Sequence, residues 1–371
     1  MVDLTIVIVS WNVCDLLRRC LSSVFDVRGS TDDGEPPSWK IEQRTPDRKL
    51  LTEVIVVDNA STDGSPEMVH AEFPGVRLIG NVENRGFTAA NNQGLAVSQG
   101  RYLLLLNPDT EVVGDALETM VRYLETHPAA GVLGPRLVYP DGGLQPSRRR
   151  FPTFATALVE STIVQKWWTD NRLLRRYTMA DTPDDAIQPV DWVVGACLLA
   201  RRTAYDQVGG LDEGYFMYSE EMDWCKRIKN AGWEIVYLPS ATVIHHQGKS
   251  SEQVVAARHI NFHSSKVRYF RKHHGLLQGE AVRGFLLATY VYQVAREGLK
   301  WLVGHKRPLR AERVKAYMQV LQSGLRVRNS PSVAVTRPAL PTSGRDSTTM
   351  TAGSPGSAAQ GLDSGHDEHL Q

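Results

Sequence analysis

The residues best suited to chemistry follow a short run of leucines. Residues 102–106 read Tyr-Leu-Leu-Leu-Leu, and Asn107, Pro108 and Asp109 come directly after them. An uninterrupted apolar run is typical of a strand buried in a parallel sheet, and proline prevents the strand from continuing. We therefore predict that Asn107 and Asp109 lie on a stiff turn at the carboxyl edge of the sheet, where open α/β sheets bind ligands. Asp109 would be a hard oxygen ligand of the kind that Mg²⁺ or Mn²⁺ prefers. The simpler alternative is an ordinary turn at a strand end.

A second candidate group is a dense acidic cluster. Glu220, Glu221 and Asp223 follow the aromatic segment 215–218 and open a predicted helix. Acidic residues favour the first turn of any helix because of its dipole, so capping alone is one explanation. Three carboxylates in four positions are more than capping requires. Crowding and burial raise carboxylate pKa values, which suits a general base.

Two histidines form a third candidate group. His245 and His246 come directly after the apolar run 241–244. Histidine is a common metal ligand, but it is also an ordinary polar residue at a strand end. The sequence alone leaves both interpretations open.

The elements that would position these residues alternate between strands and helices. Strands are predicted where β-branched or apolar residues run together, at 4–10, 54–58, 76–79, 102–106, 193–200 and 233–239. Helical spacing predicts helices at 13–24 and 87–99. This alternation implies right-handed crossovers and a mostly parallel sheet. The polar stretch 27–50 is expected to be a long loop or insertion.

Composition excludes few classes of protein. The chain has 371 residues, 42% of them hydrophobic, and a net charge of +1, so whole-chain charge gives no argument for nucleic acid. The four cysteines show neither a C-x-x-C pair nor metal-binding spacing, which favours a reduced, cytoplasmic setting. We read no signal peptide at the N-terminus.

The C-terminal third is strongly basic. Residues 255–328 contain fifteen Lys and Arg against three Glu and no Asp. The uncharged run 284–295 is too short to span a bilayer, so two interpretations remain. A basic amphipathic helix can lie on an anionic membrane surface, or it can pack on the preceding domain with a solvated basic face. No RNA or DNA module accompanies the charge. Residues 329–371 are expected to be disordered.

Seven short motifs stand in order along residues 4–251. They are Ile8–Asn12, Val56–Gly64, Glu83–Phe87, Asn107–Asp109, Gly195–Ala196, Glu220–Asp223, and His245 with Gly248 and Ser250. Together they strongly resemble family 2 glycosyltransferases, and most of all the bacterial rhamnosyltransferase-like branch. The resemblance implies a GT-A fold, in which a Rossmann-like, mostly parallel mixed sheet is flanked by helices. We expect this α/β domain at 1–251 and a helical extension at 252–328.

The same resemblance implies how the donor is held. Asp58 would contact the base or ribose of a nucleotide diphosphate sugar, and Ser10 and Asn12 would line the same pocket. Arg85 could approach the donor, although it could equally be an ordinary solvated arginine. The donor would be dTDP-rhamnose or a UDP-sugar.

The metal and base positions also follow from the resemblance. Asp109 matches the last carboxylate of the DxD motif, while Asn107 replaces the first. Asp109 and His245 would therefore share Mg²⁺ or Mn²⁺ with the donor diphosphate. Glu221 matches the base of an inverting transfer, but the Glu-Glu pair leaves the choice among Glu220, Glu221 and Asp223 open. Three residues would border the acceptor pocket: Trp192, Gly195 and Ala196.

The implied acceptor is a hydroxyl of a glycan or lipid-linked sugar in cell-surface polysaccharide synthesis. The implied location is the cytoplasm or the inner face of the membrane.

Two other classes of protein are alternatives. A sugar-1-phosphate nucleotidyltransferase should carry a Gly-rich phosphate loop near its first strand, and segment 10–12 is not one. A non-catalytic carbohydrate-binding protein should have lost the metal carboxylate or the base, and both are present.

Overall fold

Buried strands with apolar residues on both faces form the centre of the fold. The computed structural model describes residues 2–25, 42–44, 49–160, 162–168, 171–246, 255–304 and 306–327. The strands are β1 (Leu4–Ser10), β2 (Glu42–Arg44), β3 (Lys49–Asp58), β4 (Arg77–Gly80), β5 (Tyr102–Leu106), β6 (Thr110–Val112), β7 (Ala130–Val138), β8 (Leu144–Gln145), β9 (Arg148–Arg149), β10 (Gln188–Pro189), β11 (Trp192–Val193), β12 (Cys197–Arg201) and β13 (Glu234–His245).

Twelve helices occur in the described ranges. They are α1 (Cys14–Phe25), α2 (Ser65–Glu72), α3 (Phe87–Val97), α4 (Ala116–Thr126), α5 (Phe154–Val159), α6 (Ile163–Trp167), α7 (Arg172–Tyr177), α8 (Arg202–Val208), α9 (Glu220–Asn230), α10 (Val255–His274), α11 (Leu276–Leu302) and α12 (Arg307–Ser323). None of the described helices is both long enough and apolar enough to cross a membrane.

Eleven of the strands form one mixed sheet, in the order β10-β13-β7-β12-β5-β1-β3-β2, with β4, β6 and β8 attached at its borders. The ladders of β1 with β3 and β5, of β3 with β4, and of β7 with β13 are parallel and contain most of the paired residues. The predicted α/β architecture, with a mostly parallel mixed sheet and a helical C-terminal region, is therefore confirmed.

The parallel register aligns the ends of three strands. Ser10 lies beside Asp58, and Ile8 lies beside Leu106, so β1, β3 and β5 end at the same edge. The long strand β13 reaches this edge too, because its last residue, His245, pairs with Thr110 of β6. The strand register thus brings His245 next to the turn that follows β5.

Some predicted boundaries were wrong. The strand predicted at 193–200 is broken, because β11 ends at Val193 and β12 begins at Cys197, with Gly195 and Ala196 forming a turn between them. The strand predicted at 54–58 is β3, which begins earlier, at Lys49. The short strand β2 lies within the predicted loop 27–50. The rest of that loop, at 27–41 and 45–48, and the predicted disordered tail at 329–371 are outside the described residues.

The basic helix α10 packs against the sheet domain. Its Lys266 lies 2.8 Å from a carboxylate oxygen of Glu160, and its Arg268 lies 2.8 Å from Asp212. Lys272 lies 2.7 Å from the same Asp212. Much of the basic charge of α10 therefore holds the helix on the domain.

A close approach between helix and sheet is testable at Gly94 in α3. A Cβ at this position would lie 2.4 Å from Cγ1 of Val7, which is fully buried in β1. We expect Gly94→Ala to lower the free energy of unfolding by about 1–3 kcal/mol, the usual cost of overpacking, as measured by urea denaturation. Gly298→Ala in α11 is the matched control, since a Cβ there meets nothing within 4 Å. That variant should be slightly stabilised by helix propensity. Equal effects at the two sites would contradict the packing of α3 on β1.

Candidate active site

A cleft of about 450 Å³ opens at the edge where β1, β3 and β5 end. Residues that follow these strands line its floor: Trp11, Asn59, and Asn107 to Asp109. The acidic start of α9 and one side of α10 form other parts of its wall. The cleft thus lies where open α/β sheets generally bind ligands.

Two of the residues predicted to contact the nucleotide, Asp58 and Ser10, have side-chain oxygens without a hydrogen-bond partner in the described part of the chain. Asp58 is buried, and its Oδ2 accepts a hydrogen bond of 2.9 Å from the backbone N–H of Ser61. Its Oδ1 and the buried hydroxyl of Ser10 have no hydrogen-bond partner in the described part of the chain. Buried polar atoms are normally satisfied, so these two can receive a ligand.

Asn12, which was predicted to line the nucleotide pocket, is held by the turn that follows β3. Its backbone is in the left-handed region, with φ of 52°, and its Oδ1 accepts a hydrogen bond of 2.8 Å from the backbone N–H of Thr62. The side chain thereby joins the turn after β1 to the turn after β3. Asn12, Ser10 and Asp58 are not among the residues that line the 450 Å³ cleft, although their chain neighbours are.

Asn59 organises the loop that carries Arg85, and the sequence analysis missed it. Its Nδ2 donates to Asn84 Oδ1 at 3.0 Å and to the Gly86 carbonyl at 3.2 Å, while its Oδ1 accepts from the Arg85 backbone N–H at 3.0 Å. Gly86 has φ of +89°, and a Cβ there would lie 2.6 Å from the Phe216 ring. The Arg85 side chain is exposed and does not line the cleft.

Asp109 and His245 come together as predicted. His245 Nε2 lies 3.3 Å from Asp109 Oδ1, and both side chains are buried. His245 Nδ1 lies 2.9 Å from Gln145 Oε1, an oxygen that can only accept, so Nδ1 must donate. With Nδ1 facing Gln145, the other ring nitrogen, Nε2, faces a carboxylate oxygen of Asp109. Such an arrangement suits a shared cation, and the partner on the other ring nitrogen is typical of a metal-binding histidine.

A third possible donor atom lies close by in the chain. Asn107 Oδ1 is buried and lacks a hydrogen-bond partner among the described residues. Nowhere in the described ranges do three His, Cys, Asp or Glu side chains converge on one point. A divalent ion held by Asp109 and His245 would therefore need Asn107 or ligand oxygens to complete its shell, as Mg²⁺ sites beside phosphates commonly do. The second histidine, His246, lies 2.7 Å from Glu111 and does not line the cleft.

Of the three residues of the acidic cluster, Glu220 and Glu221 line the cleft. One oxygen of each, Oε2, is buried without a hydrogen-bond partner in the described chain. Burial raises the pKa of both carboxyl groups, and the charge of Glu221 raises the pKa of Glu220 further. A hydrogen bond from the Gly195 backbone opposes the effect of burial at Glu221. Both groups thus have the environment of a general base.

Backbone strain positions this pair. Tyr218 and Ser219 precede α9 with φ of 72° and 66°, two successive non-glycine residues in the left-handed region. Such conformations cost roughly 1–3 kcal/mol each and are common at functional sites. The strained turn starts α9 at Glu220, so its first turn faces the cleft.

Asp223 lies in the same helix but in a different environment. Its side chain has no solvent exposure and is paired with Arg227 at 2.9 Å, Lys272 at 2.7 Å and His273 at 2.7 Å. Burial would raise its pKa, but the His273 hydrogen bond and the two cations hold it far below the usual range. Asp223 does not line the cleft. Its contacts anchor α10 to α9.

The three residues predicted for the acceptor are placed in two cavities. Gly195 and Ala196 line the main cleft, and a Cβ on Gly195 would lie 3.4 Å from the Glu221 side chain. Trp192 instead lines an adjoining cavity of about 90 Å³, with Tyr177 and Lys266. Glu221 lines both cavities.

Helix α10 supplies site residues that the sequence analysis did not find. Arg258 and Asn261 line the main cleft. Arg258 was counted only as part of the basic C-terminal charge, because nothing in the sequence distinguished it from the other fourteen basic residues. Its place in the cleft depends on the packing of α10.

Comparison with known proteins identifies the family. Residues 5–208 match the family model for glycosyl transferase family 2. An N-acetylglucosaminyl-diphospho-decaprenol L-rhamnosyltransferase of Mycobacterium tuberculosis is 32% identical over 253 residues, which cover 64% of this chain and 82% of that protein. The rhamnosyltransferase WbbL of Escherichia coli is 29% identical over 172 residues, or 43% of this chain and 61% of that protein.

A solved structure is also similar. The mannosyltransferase of Pyrobaculum calidifontis, in complex with GDP-mannose and Mn²⁺, matches with 15% identity and a TM-score of 0.47, covering 87% of this chain and 86% of that one. At this level of likeness, nothing about function follows from it.

The chain belongs to the family 2 glycosyltransferases. The predicted resemblance to the bacterial rhamnosyltransferase-like branch is confirmed, and with it a glycosyltransferase activity in polysaccharide synthesis. The two alternative classes, a sugar-1-phosphate nucleotidyltransferase and a non-catalytic carbohydrate-binding protein, are not favoured.

The environments of Glu221 and Asp223 predict opposite results for two isosteric variants. Glu221→Gln should lower turnover by about 10²-fold or more, the range expected for loss of a general base, without changing the melting temperature. Asp223→Asn should lower the melting temperature, because Arg227 and Lys272 lose their carboxylate and the charge-assisted contact with His273 is weakened. In the wild type, turnover should rise with pH through a pKa above the usual glutamate value, because the base acts only when ionised. Near-normal turnover of Glu221→Gln would show that another group is the base.

Proposed function

We propose that this glycosyltransferase moves rhamnose from dTDP-rhamnose to a hydroxyl of a lipid-linked sugar, with inversion at the anomeric carbon. The observation that carries this proposal is the position of Glu221. It is a half-buried carboxylate with one buried oxygen and no ion pair among the described residues, and it lines both the main cleft and the smaller cavity. The cleft also holds Asp109 and His245, so a base and a diphosphate site share one space.

The residues of the cleft divide the reaction between them. Glu221 would take the proton of the acceptor hydroxyl as its oxygen attacks the anomeric carbon from the face opposite the leaving diphosphate. Asp109 and His245, with Asn107 nearby, would hold Mg²⁺ or Mn²⁺, which would offset charge on the departing diphosphate. The guanidinium of Arg258 can add a second positive charge on the same diphosphate. Ser10 and Asp58 would bind the nucleoside through their unpartnered oxygens.

The lipid-linked acceptor is supported by the relative from Mycobacterium tuberculosis, whose name describes rhamnosyl transfer to a diphospho-decaprenol-linked sugar. An acceptor of this kind is confined to a membrane. We therefore propose a peripheral location on the inner face of the cell membrane.

The donor and acceptor can be tested together. We expect the protein, given dTDP-rhamnose and a polyprenyl-diphosphate-linked N-acetylglucosamine, to form a glycolipid heavier by one rhamnose, as detected by mass spectrometry. UDP-sugars supplied at the same concentration serve as the comparison, and Glu221→Gln serves as the inactive control. Faster transfer from a UDP-sugar would overturn the proposed donor.

The metal can be tested by binding as well as by activity. We expect Asp109→Asn and His245→Ala each to weaken Mn²⁺ binding in the presence of a nucleoside diphosphate by at least about tenfold in calorimetry, since even loss of an outer-shell partner has an effect of that size. Asp115→Asn is the matched control, because Asp115 lies at an exposed helix start. Full transfer activity in excess chelator would show that the reaction does not depend on a metal ion.

A further inference from the structure

One side of α11 is apolar and exposed to solvent along its whole length. Residues spaced alternately by four and three positions share this side: Leu277, Ala281, Gly284, Ala288, Val291, Ala295, Gly298 and Leu302. None of them is charged, and none is buried. At 1.5 Å per residue, this α11 stripe is roughly 38 Å long. Exposed apolar surface of this extent usually marks an interaction site.

Bulky side chains gather at the C-terminal end of the stripe. Leu302 and Val303 are 67% and 78% exposed, and Trp167 from α6 is 69% exposed. The Trp167 ring lies 6.0 Å from the Tyr292 ring of α11, edge to face. α6 and α11 thus meet at exposed aromatic rings, and exposed apolar residues of these two elements and of the residue after each define what we call the apolar surface: Trp167, Trp168, Tyr292, Leu299, Leu302 and Val303.

The charge around this apolar surface is positive. Lys300, Lys306 and Arg307 lie at the end of α11 and the start of α12, and none of the three has an acidic partner among the described residues. The two acidic residues of α11 are both neutralised. Glu280 pairs with Arg271 and Arg283, and buried Glu297 pairs with Arg296 and Arg310.

We propose that this apolar surface docks on an anionic phospholipid bilayer, with its aromatic and aliphatic side chains in the interface and the basic residues at the headgroups. Tryptophan and tyrosine favour the membrane interface because one part of each ring system is apolar and another is polar. Basic residues near the surface add attraction to anionic lipid. Lys266, Arg268, Arg271 and Lys272 of α10 take no part, since they are paired within the protein, and Arg258 lines the cleft.

A second copy of the chain is the alternative partner for this apolar surface. Pairing two copies of the surface would bring the same cluster of unpaired basic residues together, and like charges oppose such contact. An anionic bilayer has the complementary charge. The inference rests on the proposed membrane location for its partner, but vesicle binding does not require that rhamnose be the sugar transferred.

Vesicle flotation with the full chain tests the docking surface. The vesicles are phosphatidylcholine containing about a third phosphatidylglycerol, with pure phosphatidylcholine for comparison. The wild type should float with the anionic vesicles, and added salt should weaken binding. The triple variant Leu299→Ser, Leu302→Ser, Val303→Ser should lose about tenfold or more in binding, because it removes apolar area that the interface would bury.

A triple variant elsewhere is the matched control. Leu51→Ser, Val113→Ser, Ile187→Ser removes three exposed apolar side chains far from α11 in sequence and should float like the wild type. Both variants should keep the wild-type melting temperature and transfer rate to a short water-soluble acceptor. Undiminished flotation of the α11 variant overturns the proposal. So does a wild-type dimer in sedimentation analysis that the α11 variant converts to a monomer, because the surface would then join two copies. Flotation as proposed without rhamnosyl transfer would overturn only the proposed function.

Discussion

Buried carboxylates that are left without ion pairs are the constraint on which this active site depends. Removing a carboxylate from water without a partner is costly, and proteins normally neutralise it or pair it. Asp223 follows that rule with two cationic partners, Arg227 and Lys272, and a contact with His273, whereas Glu220 and Glu221 have no ion pair in the described ranges. The same helix thus carries a permanently ionised anchor and two carboxylates whose pKa is raised. The difference arises from the surroundings of each residue, because Glu220 and Glu221 line the cleft, whereas Asp223 lies against Arg227, Lys272 and His273.

The anchor and the site are physically linked. Asp212 and Asp223 bind Arg268, Lys272 and His273 of α10, and this fixes the helix beside the cleft. The preceding turns of α10 then place Arg258 and Asn261 on the cleft wall. Ion pairs thus position α10 outside the cleft. Within the cleft, Glu220 and Glu221 stay unpaired among the described residues and can accept a hydroxyl proton, and Asp109 and His245 remain accessible to a donor diphosphate.

The sequence predicted the parts of this arrangement that follow from local pattern. Apolar runs ending in polar residues located the strand edges, so Asp109 and the histidine pair were found, and the family resemblance added Asp58 and singled out His245. The break between β11 and β12 was missed because small apolar residues continue through the turn at Gly195. The roles of Asp223 and Arg258 were also hidden, because they depend on side chains about fifty residues away in the chain. The same limitation applied to the exposed side of α11, since periodicity shows that a helix has an apolar side but not what covers it.

The proposed reaction is a direct displacement assisted by Glu221, and the anomeric configuration of the product tests this most directly. Nuclear magnetic resonance of the glycoside formed from dTDP-rhamnose should show the configuration opposite to that of the donor. An inverted product means that the acceptor oxygen attacked the face opposite the diphosphate, as a single base in the cleft requires. A product with the donor's configuration would contradict the account, because it would demand a second displacement that this arrangement of Glu221, Asp109 and His245 does not provide.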